Sequence, residues 1–273
     1  SYSNPNLQQI PARNKDLGPL IRSLFVPESG CEWGCFDYSQ QEPRLVVHFA
    51  ATTAGIKEDN SVKEIVDNYS NNDIDFHKTV ADMAGISRIQ AKTINLGLFY
   101  GMGKAKLQAE LGLSTKQEAE ALFNQYHDRV PFVRDLMNET SRWASREGEI
   151  RTLLGRGCRF NKWEPAQFGM HTPMTWEDAV KKYGENRIRR AFTYKALNKL
   201  IQGSAADMTK KSMLDLYKEG IIAHIQIHDE LDLSVESKEH ANKIIEIMEN
   251  AVKLAVPNKV DYESGKNWGD IYD

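Results

Sequence analysis

The chain has little cysteine, no long apolar run and no excess of positive charge, and each shortage removes a class of answers. Its three cysteines, Cys31, Cys35 and Cys158, are odd in number and have no zinc-type partners at ligand spacing. A reducing compartment without a structural metal is therefore the simpler expectation. No stretch is apolar enough to span a bilayer and no secretory signal opens the sequence, so a membrane or secreted protein is not expected. The first residue is Ser1 rather than methionine, which reads as a fragment or a processed piece. A formal net charge of −3 argues against a generic nucleic-acid coat protein. Internal repeats and low-complexity tracts are missing as well. What remains is 273 residues, 41% hydrophobic and 27% charged, enough for one sizeable core or two linked ones.

The small net charge hides an uneven distribution. Between Arg142 and Lys162 six basic residues stand against Glu147 and Glu149, and Arg187, Arg189, Arg190, Lys195 and Lys199 follow. Runs of this kind are commonly solvated faces. Beside the motifs below, a groove that tracks phosphates is the better reading.

Three segments carry chemistry. Ile221–Val235 reads as two short apolar strands joined across His228-Asp229, with Glu230 next and no glycine at the tip. Taken alone, this pattern favours a solvated acidic turn. In Glu32–Arg44, Trp33, Cys35 and Phe36 read as a short buried strand, and Asp37 sits where it ends. Two aspartates brought together on neighbouring strand ends make an oxygen site for hard divalent cations such as Mg²⁺. In Arg88–Gly103, Arg88, Lys92, Leu96 and Tyr100 recur every four residues and line one helical face about 18 Å long. Its cationic start and apolar, aromatic end suit a ligand with phosphates at one end and a flat base at the other. An ordinary amphipathic helix with a solvated basic end is the competing reading.

DYSQQEPR, RIQAKTINLGLFYG and QIHDEL resemble motifs A, B and C of the family A DNA polymerases, which include bacterial DNA polymerase I and its phage and organelle relatives. PNLQQIP at Pro5–Pro11 and NKLIQGSAAD at Asn198–Asp207 resemble two further family segments, in the same order along the chain. The resemblance implies an α+β fold. A palm of antiparallel sheet with packed helices would come from residues 1–51 and 191–273, and helical fingers from 52–190, with an insertion near 161–186. It also implies attack of a primer 3′-hydroxyl on the α-phosphate of a deoxynucleoside triphosphate. Asp37, Asp229 and the Tyr38 backbone would hold two Mg²⁺ ions, and Glu230 would assist. His77, Arg88 and Lys92 would bind the triphosphate, with Lys92 also protonating the departing pyrophosphate. Tyr100 would stack near the nascent base pair, and Leu96, Gln41 and Glu42 would line the nucleotide, Glu42 blocking the ribose 2′ side.

DNA contacts would fall to Asn6, Gln8 and Gln9 in the minor groove, and to Asn198, Gln202 and His228. The implied partners are DNA primer–template, deoxynucleoside triphosphates and replication accessory proteins. The implied location is a bacterial or phage-infected cytoplasm, or an organelle. The chain departs from the family at Leu96, where Phe or Tyr is usual, and at Gln41, usually apolar. Two other readings stay open. A single-subunit RNA polymerase would share the aspartates but lack the Glu42 block. A non-catalytic primer–template binding module would fit the absence of any recognisable thumb or exonuclease carboxylate set.

Between the motifs, Leu17–Val26 and Trp33–Asp37 read as strands, and Gln41–Ala51 as a helix that tolerates Pro43 in its first turn. Ala51–Asn72 is polar and marks a boundary, and Asp75–Gly85 reads as a helix. Ser114–Arg129 is a helix capped by Ser114 with Gln117 three residues on, and Pro131–Glu147 is another, closed by Gly148. Glu149–Phe160 reads as a hairpin around Gly155–Gly157, and a short helix starts at Trp176. Arg187–Lys218 reads as a long helix interrupted near Gly203, and a last helix runs from Ser237 to about Val256.

Overall fold

Asp75, Thr115, Thr175 and Ser237 each accept a backbone N–H from three residues further on, and a helix begins behind each. Such caps satisfy donors that the first helical turn leaves unpaired. The computed structural model describes residues 10, 14, 16–71, 74–99, 104–167, 169 and 171–271.

The first half of the chain runs α1 (Leu17–Arg22), β1 (Glu32–Tyr38), α2 (Gln41–Thr52), α3 (Asn60–Asn71), α4 (Phe76–Ala84) and α5 (Arg88–Phe99). Next come α6 (Lys104–Glu110), α7 (Lys116–Arg129), α8 (Pro131–Glu147), β2 (Glu149–Arg151), β3 (Gly157–Arg159) and β4 (Trp163–Pro165). The rest is α9 (Trp176–Tyr183), β5 (Ile188–Arg190), α10 (Ala196–Lys218), β6 (Ile225–Ile227), β7 (Glu230–Val235), α11 (Lys238–Asn250) and β8 (Val260–Gly265). This is an α+β protein. It forms two compact units, Ser1–Arg44 with Ala205–Asp273, and Leu45–Ser204.

The first unit holds a four-stranded antiparallel sheet in the order β6-β7-β1-β8. β1 is central and buried on both faces for most of its length, which explains its nearly unbroken apolar run. Phe36, Tyr38, Leu231, Leu233 and Val235 fill one face, and the Tyr38 hydroxyl reaches the Met248 carbonyl and Ser212 Oγ. On the other face Trp33, Cys35, Ile225 and Trp268 form a buried cluster with Phe25 against it. The second unit is mainly helical. Within it Ala144, Ile150, Phe160, Ala196 and Leu200 make a core beneath the β2–β3 hairpin.

Several expectations need correction. Leu17–Arg22 is a helix, not a strand. Asn14 Oδ1 accepts the N–H groups of Asp16 and Leu17 at its start, and Arg22 lies buried with its guanidinium 4.6 Å from the Trp268 ring centre. The segment thus combines a local cap with packing against a residue far along the chain. Ala51–Asn72 contains the amphipathic helix α3, with Val62, Ile65 and Tyr69 buried. The cap of α7 is Thr115, not Ser114, because the Glu118 carboxylate returns the bond to the Thr115 N–H in a capping box. Arg187–Lys218 is not one helix: Ile188–Arg190 pairs with β4 as a strand, with Arg190 over the Trp163 ring. α11 ends at Asn250, short of Val256.

Gly203 does not interrupt α10 either. It is where the hairpin comes closest: a Cβ there would meet Thr152 Cγ2 at 2.7 Å, while Arg156 donates to the Gly203 carbonyl at 2.8 Å. Gly203→Ala should therefore destabilise the protein by about 1–3 kcal/mol through overpacking, although alanine is the better helix former. Adding Thr152→Ser removes the offending methyl and should recover most of the loss. Denaturant unfolding of both single variants and the double variant checks this, and additive losses would contradict it.

Candidate functional site

Strand register assembles a candidate site within the sheet-bearing unit. β1 faces β7 and β8 so that Asp37 lies opposite Glu230 on one side and Asp261 on the other. One rung inward, Cys35 lies opposite Asp232 and Glu263. Because side chains alternate along a strand, Asp37, Glu230, Asp232, Asp261 and Glu263 all occur on one face of the sheet. That face is apolar at the Trp33 end and acidic at the Asp37 end.

Asp229 occupies the turn between β6 and β7 beside His228, whose φ of 53° is left-handed without being glycine. Gln226 steadies this turn by donating to the His228 carbonyl at 2.9 Å, and the Tyr38 N–H points to the Asp229 carbonyl at 3.5 Å. His228 is exposed.

Electrostatics follow from this crowding. The strand beneath Asp37 is packed, while the residue itself is open to solvent. Partial desolvation by the sheet, then the charges of Asp229, Glu230, Asp261 and Glu263, push its carboxyl up to about 7. Burial raises Asp229 too, opposed by a backbone hydrogen bond and by His228. Oxygen donors pressed together in this way fit a hard divalent cation, whose charge would relieve the repulsion.

The helical unit positions a second, cationic set. Arg88 and Lys92 are exposed and Leu96 is half-buried along α5, as a four-residue spacing requires. The Asp75 carboxylate caps α4 and also accepts from Arg88 Nε at 2.7 Å, so the guanidinium is held in place. His77 is partly buried, which lowers its pKa, with Lys92 and Arg88 acting in the same direction against Asp75. Asn95 is fully buried; its amide oxygen accepts the Tyr126 hydroxyl, and its Nδ2 lies 3.1 Å from His77 Nδ1. The amide nitrogen is a donor, so His77 Nδ1 accepts and Nε2 keeps its proton for a ligand.

Other expected residues are placed less pointedly. Glu42 is half-buried in the first turn of α2, whereas Gln41 is buried with its amide 3.2 Å from Thr209 Oγ1. Asn198 is half-buried and Gln202 exposed, one turn apart on α10. Asn6, Gln8, Gln9 and Tyr100 lie outside the described residues. Sequence reasoning missed Asp232, Asp261 and Glu263, although Glu230–Val235 and Val260–Gly265 both alternate acidic or polar with apolar residues. It also missed Asp75, Asn95 and Tyr126, whose roles depend on contacts between helices.

The DNA polymerase family A model matches residues 1–270. The chain is 35% identical to the DNA-directed DNA polymerase of Pseudomonas phage M6, over 98% of its own length and 43% of that protein. It is also 35% identical to DNA polymerase I of Bacillus caldotenax, over 99% of its length and 29% of that protein. Among solved structures it is similar to the POL domain of Pol1 from M. smegmatis in complex with DNA primer-template and dNTP. That likeness has a TM-score of 0.75 at 29% identity, over 99% of this chain and 46% of the other. The chain thus spans less than half the length of these relatives.

The Asp37 shift has a sign that can be tested. An aspartate with a raised folded pKa leaves stability at its fullest below the ordinary value of 3.8, and that contribution is lost as pH rises through about 7. Without divalent cations, stability should fall over this interval, and Asp37→Asn should flatten the fall and be the more stable form at pH 8. Urea unfolding across pH in the presence of a chelator is the measurement. A wild-type profile no steeper than that of the variant would contradict it.

Proposed function

This chain belongs to DNA polymerase family A, and from that premise we propose that it is the palm and fingers portion of a template-directed DNA polymerase. The observation that carries the reading is the meeting of Asp37, Glu230 and the Asp229 turn at the open, acidic end of one sheet face. The sheet-bearing unit would act as palm and the helical unit as fingers. Its substrates would be a DNA primer–template and deoxynucleoside triphosphates, in a bacterial or phage-infected cell, with replication accessory proteins as further partners.

Asp37, Asp229 and the Tyr38 carbonyl would hold divalent cations, and the all-oxygen donor set suits Mg²⁺. Two such ions, when bound, would supply Lewis-acid activation of a primer 3′-hydroxyl and neutralise charge on the leaving pyrophosphate. Glu230, opposite Asp37, would deepen the negative potential there. Arg88, already oriented by Asp75, would pair with phosphate oxygens, and His77 would donate through Nε2. Lys92 would join them and deliver a proton to the pyrophosphate.

Glu42 would crowd a ribose 2′-hydroxyl, and Leu96 would approach the 3′ side of the sugar. Tyr100 would stack on the base, and Asn6, Gln8, Gln9, Asn198, Gln202 and His228 would contact DNA. Motion of α5 would bring Arg88 and Lys92 onto the nucleotide's phosphates.

Primer extension tests this directly. Asp37→Ala and Asp229→Ala should each cut extension by several orders of magnitude while leaving primer–template affinity nearly unchanged. Turnover retained in either variant would sink the assignment. Wild-type binding without metal-dependent extension would favour a binding module instead.

Leu96 yields a second test. Leucine has no hydroxyl to stand in for a missing 3′-hydroxyl, so the protein should discriminate against dideoxynucleotides. Leu96→Tyr should raise their acceptance by about 1–3 kcal/mol in competition against the normal nucleotide, the scale of one hydrogen bond in a desolvated site. Equal acceptance by wild type and variant would mean that Leu96 does not face the sugar.

A further inference from the structure

One rung inward from Asp37 and Glu230, on the same face of the sheet, a different donor set comes together. Cys35 Sγ, a carboxylate oxygen of Asp232 and one of Glu230 all lie within 4.8 Å of one another. Cys35 is 5% exposed and Asp232 is 0% exposed, while the half-buried Glu230 opens the cluster toward solvent. The thiol donates to Asp232 Oδ1 at 2.6 Å. The other oxygen, Oδ2, is buried and accepts no hydrogen bond. The Trp33 indole N–H stands beside this carboxylate and favours its ionised form.

A fully buried carboxylate oxygen without a partner is costly, and in native proteins such an atom calls for a reason. A bound cation would satisfy the orphaned oxygen and offset the charge of the neighbouring carboxylates.

We propose that Cys35, Asp232 and Glu230 form a binding site for Zn²⁺, separate from the all-oxygen set of Asp37 and Asp229. One sulfur and two carboxylate oxygens suit a borderline-soft, tetrahedral ion, whereas Mg²⁺ prefers oxygen alone. Cys35 and Asp232 project from directly paired positions of adjacent strands, and Glu230 lies two residues before Asp232 on the same face of β7, so no backbone rearrangement is needed to bring them together. Binding converts the Cys35 thiol to a Zn-bound thiolate and releases its proton to solvent; both carboxylates bind as anions. Three protein ligands leave the fourth position to water.

The cross-strand register explains why linear ligand spacing does not reveal the site: Cys35 and Asp232 are far apart in the chain. Occupation would also commit a Glu230 oxygen to zinc, directly opposite Asp37. Zinc should therefore inhibit nucleotide addition, and this consequence rests on the polymerase reading, whereas binding itself does not.

Co²⁺ can report the site, because a thiolate bound to Co²⁺ gives a near-ultraviolet charge-transfer band. Titrating the whole chain should produce this band with one equivalent of Co²⁺, unaffected by excess Mg²⁺ and abolished by Zn²⁺. Cys35→Ser should lose the band, while the double variant Cys31→Ser, Cys158→Ser should keep it. Asp232→Asn removes a direct ligand and should weaken Zn²⁺ binding by more than the roughly 10–100-fold that loss of an outer-shell partner costs. In primer extension with Mg²⁺, Zn²⁺ should inhibit wild type far more strongly than Cys35→Ser. No band in folded wild type, or a band that survives Cys35→Ser, would overturn the site. A Cys35-dependent band in a protein that never extends a primer would leave the zinc site standing and remove the polymerase reading.

Discussion

The double register of β1, antiparallel to β7 on one side and β8 on the other, is the constraint on which the candidate site depends. It stacks carboxylates from three separate parts of the chain onto two rungs of one face. A slip of one residue in either pairing would turn those groups toward the apolar side and bring Phe36 or Leu231 out in their place. The apolar half of the alternation therefore enforces the acidic half. Phe36, Tyr38, Leu231 and Leu233 are buried almost completely, and their burial holds Asp37 opposite Glu230 against the repulsion between the two carboxylates.

The helical unit solves a different problem, which is to hold cationic and imidazole groups in fixed orientations. Asp75 does two jobs with one carboxylate, capping α4 through the Lys78 N–H and orienting Arg88. Asn95 links the Tyr126 hydroxyl to His77 Nδ1 and so sets the imidazole tautomer. These partners are buried or half-buried polar groups with matched donors and acceptors, and they preorganise the exposed groups that would meet a ligand.

The acidic face also carries two kinds of donor chemistry on successive rungs. The outer rung offers oxygen only, whereas the inner one adds the sulfur of Cys35. Glu230 belongs to both, so the two sites are electrostatically coupled through a single carboxylate. Hardness of the donor atoms separates which cation each would take.

The linear order of residues was sufficient for the family, the α+β class and most of the local structure. Caps at Asp75 and Ser237, the helix closed by Gly148 and the β2–β3 hairpin are all signalled within a few residues. Capping and turn formation are governed by neighbours, so they are legible without a fold. The motif residues Asp37, Asp229, Arg88 and Lys92 could be picked out for the same reason: each belongs to a short, recognisable segment. Tertiary structure alone decided the rest. Leu17–Arg22 packed against Trp268, Gly203 served a close approach and not a break, and Asp232, Asp261 and Glu263 joined Asp37 on one face. Each of these depends on contacts between residues distant in the chain, which are set by packing and strand register, and no local pattern contains that information.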